Sequence, residues 1–257
     1  EGWLARAVHN APWADPYQPL QQDTWELFDT TKDFSLANDV AATEPEKLAE
    51  LTAVIEREAN NINVYPLDDR VYERFNAATA GRPELMGERT SLTLSDGMTG
   101  LLENTFLNVK NSSKTISASL SLAGNDRGII LCQGGKFGGW AFYMDGGKLA
   151  YTYNWYGLES YTVSATDPIA AGDANVEMRF TYAGEEPGLG GDVQLLVNGS
   201  VVAEGKIDNT QPALFSADET ADVGLDEATQ VVFETFEDMD DSDFTGNVMS
   251  VTISVQR

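Results

Sequence analysis

Between residues 116 and 122 the chain alternates without a break. Ile116, Ala118, Leu120 and Leu122 are apolar, and Ser117, Ser119 and Ser121 lie between them. A period of two places each set on its own face, which predicts a half-buried β-strand. Two aromatic-rich runs follow, Gly138 to Met144 and Lys148 to Asn154, joined by Asp145-Gly146-Gly147. That turn chemistry predicts a hairpin. Further strands are predicted over 161–165, 176–182, 193–197 and 201–207, with a second hairpin turn at Asn198-Gly199. Val248, Val251, Ile253 and Val255 form a closing strand. About ten short strands with no helix between them indicate an antiparallel sandwich.

The first third of the chain reads differently. Residues 1–87 hold three of the five Trp and six of the nine Pro. Pro12, Pro16 and Pro19 keep the opening stretch extended. Trp25 to Asp29 predicts an edge strand. Leu48, Leu51, Val54, Ile55 and Ala59 recur at helical spacing, with Thr43 as expected N-cap, Glu46 completing a capping box and Asn60-Asn61 at the end. A single helix with one apolar face needs a partner layer. The division expected is therefore 1–87, incomplete by itself, and 88–257, a β-sandwich domain.

Charge narrows the partners. The chain carries 41 acids against 16 bases, a formal charge of -25, which disfavours nucleic acid and anionic membranes. No apolar run is long enough to span a bilayer. The lone Cys132 and lone His9 exclude an intrachain disulfide, a zinc site built on several cysteines and a multi-histidine metal centre. The chain opens on Glu1 with no initiator Met, the pattern of a fragment or a processed chain. Few lysines beside many acids suit a secreted or salt-adapted protein, or an ordinary soluble acidic one.

Catalytic motifs are sparse. There is no Gly-x-Ser-x-Gly elbow. Gly134 to Gly139 is rich in glycine but opens no helix, so it reads as a tight β connection rather than a phosphate loop. Glu159, Glu177 and Asp145 lie on or beside strands, and chance pairs are common among so many acids. Asp238, Asp240, Asp241 and Asp243 offer hard oxygens for Ca²⁺, without EF-hand spacing and within a stretch that otherwise reads as a solvated loop. Asp218, Glu219, Asp222 and Asp226 form a second acidic stretch. Eight rings fall between Trp140 and Tyr161. Trp140, Tyr153, Asn154 and Trp155 are candidates to bind a sugar, and core filling is the competing reading. His9 reads as a packed or surface histidine.

Several motifs resemble one family. Trp25-Glu26-Leu27-Phe28-Asp29, Asp33-Phe34-Ser35, Ala37-Asn38-Asp39-Val40-Ala41 and Asn63-Val64-Tyr65-Pro66-Leu67-Asp68-Asp69-Arg70 are similar to the end of the catalytic domain of bacterial arylsulfatases. Gly2-Trp3, Ala5-Arg6, His9 and Pro12-Trp13 extend the likeness upstream. Gln133 to Gly139, Tyr153-Asn154-Trp155, Asp218-Glu219-Thr220 and Asp222-Val223-Gly224 resemble that family's C-terminal β-domain. The resemblance implies a concanavalin- or laminin-G-like jelly roll, preceded by an extended segment and one amphipathic helix from an α/β sulfatase domain. It implies a periplasmic or extracellular enzyme that hydrolyses sulfate esters with formylglycine and Ca²⁺. Cys132 is followed by Gln133 and Gly134, so no Cys-x-Pro-x-Arg or Ser-x-Pro-x-Arg motif is present. The nucleophile and metal site would then belong to a missing N-terminal catalytic portion. This chain alone would be inactive and hold no cofactor, with His9 near the substrate mouth and a sulfated small molecule or glycan as ligand. Two readings stand beside it: a carbohydrate-binding sandwich using the aromatics of 140–161, and a structural domain that covers a partner or forms an oligomer interface.

Overall fold

The computed structural model describes residues 2–10, 16, 18–69, 83 and 85–256. Pro12, Trp13, Tyr17 and Arg70 lie outside the described residues. The chain divides into two compact units, Glu1–Gly81 and Arg82–Arg257. Among the described residues no helix is long and apolar enough to cross a membrane.

In the first unit, β1 (Trp3–Val8) pairs antiparallel with β2 (Thr24–Asp29), Trp3 opposite Asp29 and Val8 opposite Thr24. The predicted edge strand is therefore half of a two-stranded ribbon that buries Leu27 and Phe28. Helix α1 spans Pro45–Asn61, with Pro45 in its first turn, where the missing N–H is not needed. Its apolar stripe is half-buried at Leu48, Leu51, Val54 and Ile55 and fully buried at Ala59. The expected Thr43 capping box does not form. Glu44 is the N-cap residue, with no side-chain cap, and the Thr43 hydroxyl donates back to the Val40 carbonyl at 3.0 Å.

The second unit is the predicted mainly β antiparallel sandwich, of the jelly-roll kind. Its strands are β3 (Ser91–Leu94), β4 (Leu101–Leu102), β5 (Ser113–Leu122), β6 (Gly128–Gly135), β7 (Gly138–Asp145), β8 (Lys148–Trp155) and β9 (Glu159–Ser164). They continue with β10 (Gly172–Tyr182), β11 (Leu189–Val197), β12 (Ser200–Asn209), β13 (Thr220–Val223) and β14 (Asn247–Gln256). The first sheet runs β12-β11-β10-β5-β14-β3 and the second β4-β13-β6-β7-β8-β9. On β5 every second residue from Lys114 to Leu122 is buried, as the alternation requires. Both hairpin turns form, with Gly146 and Gly147, and Asn198 and Gly199, at positive φ, as a type I′ turn demands.

The main core lies between the sheets and takes Ile116, Leu120, Trp140, Phe142, Tyr151, Tyr153, Met178 and Ile253. A second cluster of Ile129, Ala141, Tyr143 and Ala150 lies on the opposite face of the second sheet. It is covered by Val231, Val232 and Phe236 of the segment 225–244, with the Tyr143 and Phe236 rings edge-on at 5.6 Å. The second sheet is thus apolar on both sides, which is why β6 is buried at every position and shows no alternation.

The acidic stretch 234–243 is correspondingly not a plain solvated loop. Within it α2 (Met239–Ser242) is capped by Asp238, which accepts from the Asp241 amide at 3.0 Å. Asp241 binds the Arg127 guanidinium, whose carbon lies 5.2 Å from the Phe236 ring centroid.

Candidate ligand-binding site

The sequence candidates separate by depth. Trp140 is 0% exposed and packs against Phe106 and Tyr151 at 6.4 and 6.3 Å, its Nε1 donating to Gln133 Oε1 at 3.3 Å. Tyr153 is equally buried, and its hydroxyl accepts from the Gln211 amide at 2.7 Å. Burial pushes the Tyr153 phenol far up. Neither ring presents a face to an outside ligand. The alternation that puts Trp140, Phe142, Tyr151 and Tyr153 on one face points all four at the first sheet.

Asn154, on the other face, is fully buried and acts as a fastener. Its Nδ2 donates to the carbonyls of Gly135 at 3.1 Å, Lys136 at 2.9 Å and Val231 at 3.4 Å. Its Oδ1 accepts from the Gly157 amide at 2.8 Å. One side chain therefore ties together the β6–β7 turn, the β8–β9 turn and the covering segment. Asn154→Ala is expected to cost about 1–3 kcal/mol, because these buried groups lose partners that water cannot replace. Urea unfolding measures that loss, and limited proteolysis should show both turns loosened.

Above this fastener the turns carry apolar residues outward. Phe137 is 73% exposed, Leu158 78% and Tyr156 43%. The half-buried Trp155 ring stands 5.6 Å from the Tyr156 ring at 61°. Lys136 places its ammonium 5.4 Å from the Phe233 ring centroid, and Phe233 is itself exposed. The turns meet closely at Gly157, which sits at φ +68, where an added Cβ would stand 2.8 Å from the Lys136 carbonyl oxygen and 3.7 Å from the Phe137 ring. Tyr156 has φ 57, a left-handed conformation that bulky residues seldom adopt and that concentrates at ligand clamps. Polar groups border the rim. Tyr161 Oη donates to Glu159 Oε2 at 2.6 Å and accepts from Asn209 Nδ2 at 3.1 Å.

Of the four binding candidates, Trp155 alone reaches this rim; Asn154 supports it from below. Tyr156 belongs to the ring-rich run 140–161, whereas Phe137, Leu158 and Phe233 are not singled out by the sequence as ligand-binding residues. The signal available was the placing of large apolar residues on turns, where small polar ones are usual. A cavity of about 680 Å³ elsewhere, lined by Pro168, Ile169, Ala174, Asn198 and Val201 among others, has no aromatic ring in its wall.

The remaining candidates have structural partners. His9 Nδ1 is 2.6 Å from Asp23 Oδ1, and Nε2 is 3.5 Å from Asp69 Oδ2. Of the calcium candidates, Asp238 caps α2 and Asp241 holds Arg127. The four do not form a metal-ligand cluster among the described residues. Glu177 pairs with Arg179 across the outer face of the first sheet, and Glu159 serves Tyr161.

No family model matches the chain, and no curated protein matches it. Solved structures do. A carbohydrate-binding module, CBM40, of the Ruminococcus gnavus IT-sialidase, bound to α2,6 sialyllactose, is 14% identical with a TM-score of 0.42, covering 66% of this chain and 93% of that one. Domains LG4-5 of the mouse laminin α1 chain are 11% identical at 0.40, covering 67% and 40%. The heptameric SAP-like pentraxin of Limulus polyphemus is 15% identical at 0.35, covering 65% and 75%. The likeness lies in the sandwich architecture.

The arylsulfatase reading is corrected by these findings: the similar structures are laminin-G-like and carbohydrate-binding sandwiches, not sulfatases. With it go the sulfatase assignment of 1–87, the formylglycine and Ca²⁺ it implied, the missing catalytic portion as partner, and His9 at a substrate mouth. The motifs that carried it have local structural work. Trp25 to Asp29 lies within β2. Asp33 accepts from the amides of Ala37 and Asn38 at 2.8 and 2.7 Å, and Asp39 from those of Leu27 and Ala41, both at 2.9 Å. Such Asp-built turns arise wherever a short acid can cap free amides.

Proposed function

We propose that the sandwich is a carbohydrate-binding module that takes a neutral glycan across the rim formed by Phe137, Trp155, Tyr156, Leu158 and Phe233. The observation that supports it is a set of exposed rings and apolar side chains on two turns locked from beneath by Asn154. The C–H faces of a pyranose stack on aromatic rings, and the neighbouring Glu159, Ser160 and Lys136 supply hydrogen-bonding groups for hydroxyls. Turns fixed before binding spare the ordering cost that weakens recognition by mobile loops. The charge of -25 favours an uncharged sugar over a sulfated one. Such glycans place the work of the module outside the cytoplasm.

Affinity electrophoresis through neutral β-glucans, xylans and mannans, with a sulfated polysaccharide as control, tests the reading. Retardation is expected in at least one neutral gel. Phe137→Ala and Tyr156→Ala should each weaken it roughly tenfold, about 1.4 kcal/mol, with the unfolding midpoint little changed. Retardation that survives the double variant would overturn the rim as the site. So would a dimer that forms through the rim and is lost in the same variants.

A further inference from the structure

Beneath the segment 225–244, three acidic side chains meet on the outer face of the second sheet. Cys132 lies on β6, Asp222 on β13, and Asp226 in the loop that follows. One ligand atom from each lies within 4.8 Å of the others, and all three residues are buried. Three of the four carboxylate oxygens are well served: Asp222 Oδ1 accepts from the Gly100 amide at 2.7 Å and Oδ2 from Thr220 Oγ1 at 2.9 Å. Asp226 Oδ2 accepts from the Val231 amide at 2.8 Å. Asp226 Oδ1 has no hydrogen-bond partner of proper geometry, although the residue is only 1% exposed. The Cys132 thiol donates to the carbonyl oxygens of Leu225 and Asp222 at 3.5 and 3.8 Å, so two further oxygens border the same spot.

A buried, unpaired oxygen among acids and carbonyls is costly unless a proton or a cation compensates it. We propose that Cys132, Asp222 and Asp226 bind a thiophilic divalent cation of the Zn²⁺ kind, which clips the segment 225–244 to the second sheet. One thiolate and two carboxylates form an acceptable zinc donor set, with a carbonyl or water completing four. A thiolate disfavours Ca²⁺, which takes oxygen ligands. Binding releases the thiol proton, and any proton held by the carboxyls, to solvent. The site is independent of the glycan rim.

The test uses the full chain under reducing conditions, titrated with Co²⁺ in its native state and during refolding. One equivalent should bind with a thiolate-to-cobalt charge-transfer absorption. Cys132 is the single cysteine of the chain, so that band reports this sulfur. Zn²⁺ should displace the cobalt and raise Tm, and the rise should be lost in Cys132→Ala and in the near-isosteric Asp226→Asn. If either variant fails to fold, the wild-type band and its stoichiometry still decide. Absence of the band in both preparations, or a Zn²⁺-dependent Tm rise unchanged in Asp226→Asn, would overturn the proposal.

Discussion

Replacing Trp140 by alanine should lower the unfolding free energy by about 3–5 kcal/mol, the range for removing a large buried ring. The ring sits between the sheets with 0% exposure, against Phe106 and Tyr151. Its removal leaves a cavity that two hydrogen-bonded sheets cannot collapse to fill, and takes the donor from Gln133 Oε1. In urea the midpoint should fall with little change in slope, since the surface exposed on unfolding stays similar. On heating, a unit of this size loses about 2–4 °C per kcal/mol. Trp140→Phe should recover most of the loss. Glycan retardation should survive Trp140→Ala at temperatures where the variant is folded. A loss below about 1 kcal/mol accompanied by abolished glycan binding would return this ring to a binding role.

That contrast marks how far the sequence could be read. Strands covered on one side were plain: β5 alternates, and β10 and β14 follow it. Turn chemistry at Asp145-Gly146-Gly147 and Asn198-Gly199 fixed two hairpins, because only certain residues take positive φ at low cost. The second sheet was harder. On β7, Trp140 and Phe142 face the first sheet while Ala141 and Tyr143 face the segment 225–244. When both faces are covered, polarity no longer distinguishes inside from outside. The run Trp140 to Tyr161 therefore showed a concentration of rings without showing which of them reach solvent.

The same cover explains the misreading of the acidic segment. Val231, Val232 and Phe236 anchor it by three apolar contacts in a stretch dominated by charge, too few to generate a period. Its acids then divide by depth. Asp241 finds Arg127 at the surface, while Asp226 is buried against Cys132 and Asp222, a juxtaposition of β6, β13 and a loop that no local spacing encodes. The likeness of the first third to arylsulfatase motifs failed for a related reason. Asp33 and Asp39 build turns by capping amides, and turn-building patterns are shared by chains of different fold and function.

Lys114→Met should make the protein more stable at pH 6, on the order of 2–4 kcal/mol. Lys114 occupies an inward position of β5 and is only 4% exposed. Its ammonium lies 4.8 Å from the Phe180 ring centroid, 5.7 Å from Tyr153 and 6.0 Å from Trp140. No carboxylate among the described residues forms an ion pair with it. Burial, with the charge of Lys110 second, lowers its pKa from 10.5 to about 7. The three rings favour the cation and offset part of that penalty, which is why the expected gain lies below the full shift. The sign follows from proton binding. Between about pH 7 and 10.5 the unfolded chain holds a proton that the folded chain has released, so wild-type stability from this group rises with pH across that window. Its contribution is complete above the unfolded value and lost as pH falls through about 7. Methionine fills the same channel without a charge and has no such dependence. The difference between variant and wild type, measured by urea unfolding, should therefore be largest at pH 6 and shrink steadily toward pH 10. A difference that stays constant over this range would show that the Lys114 amine keeps its proton in the fold. A wild type more stable at pH 6 would show that the rings more than offset the cost of burying the charge.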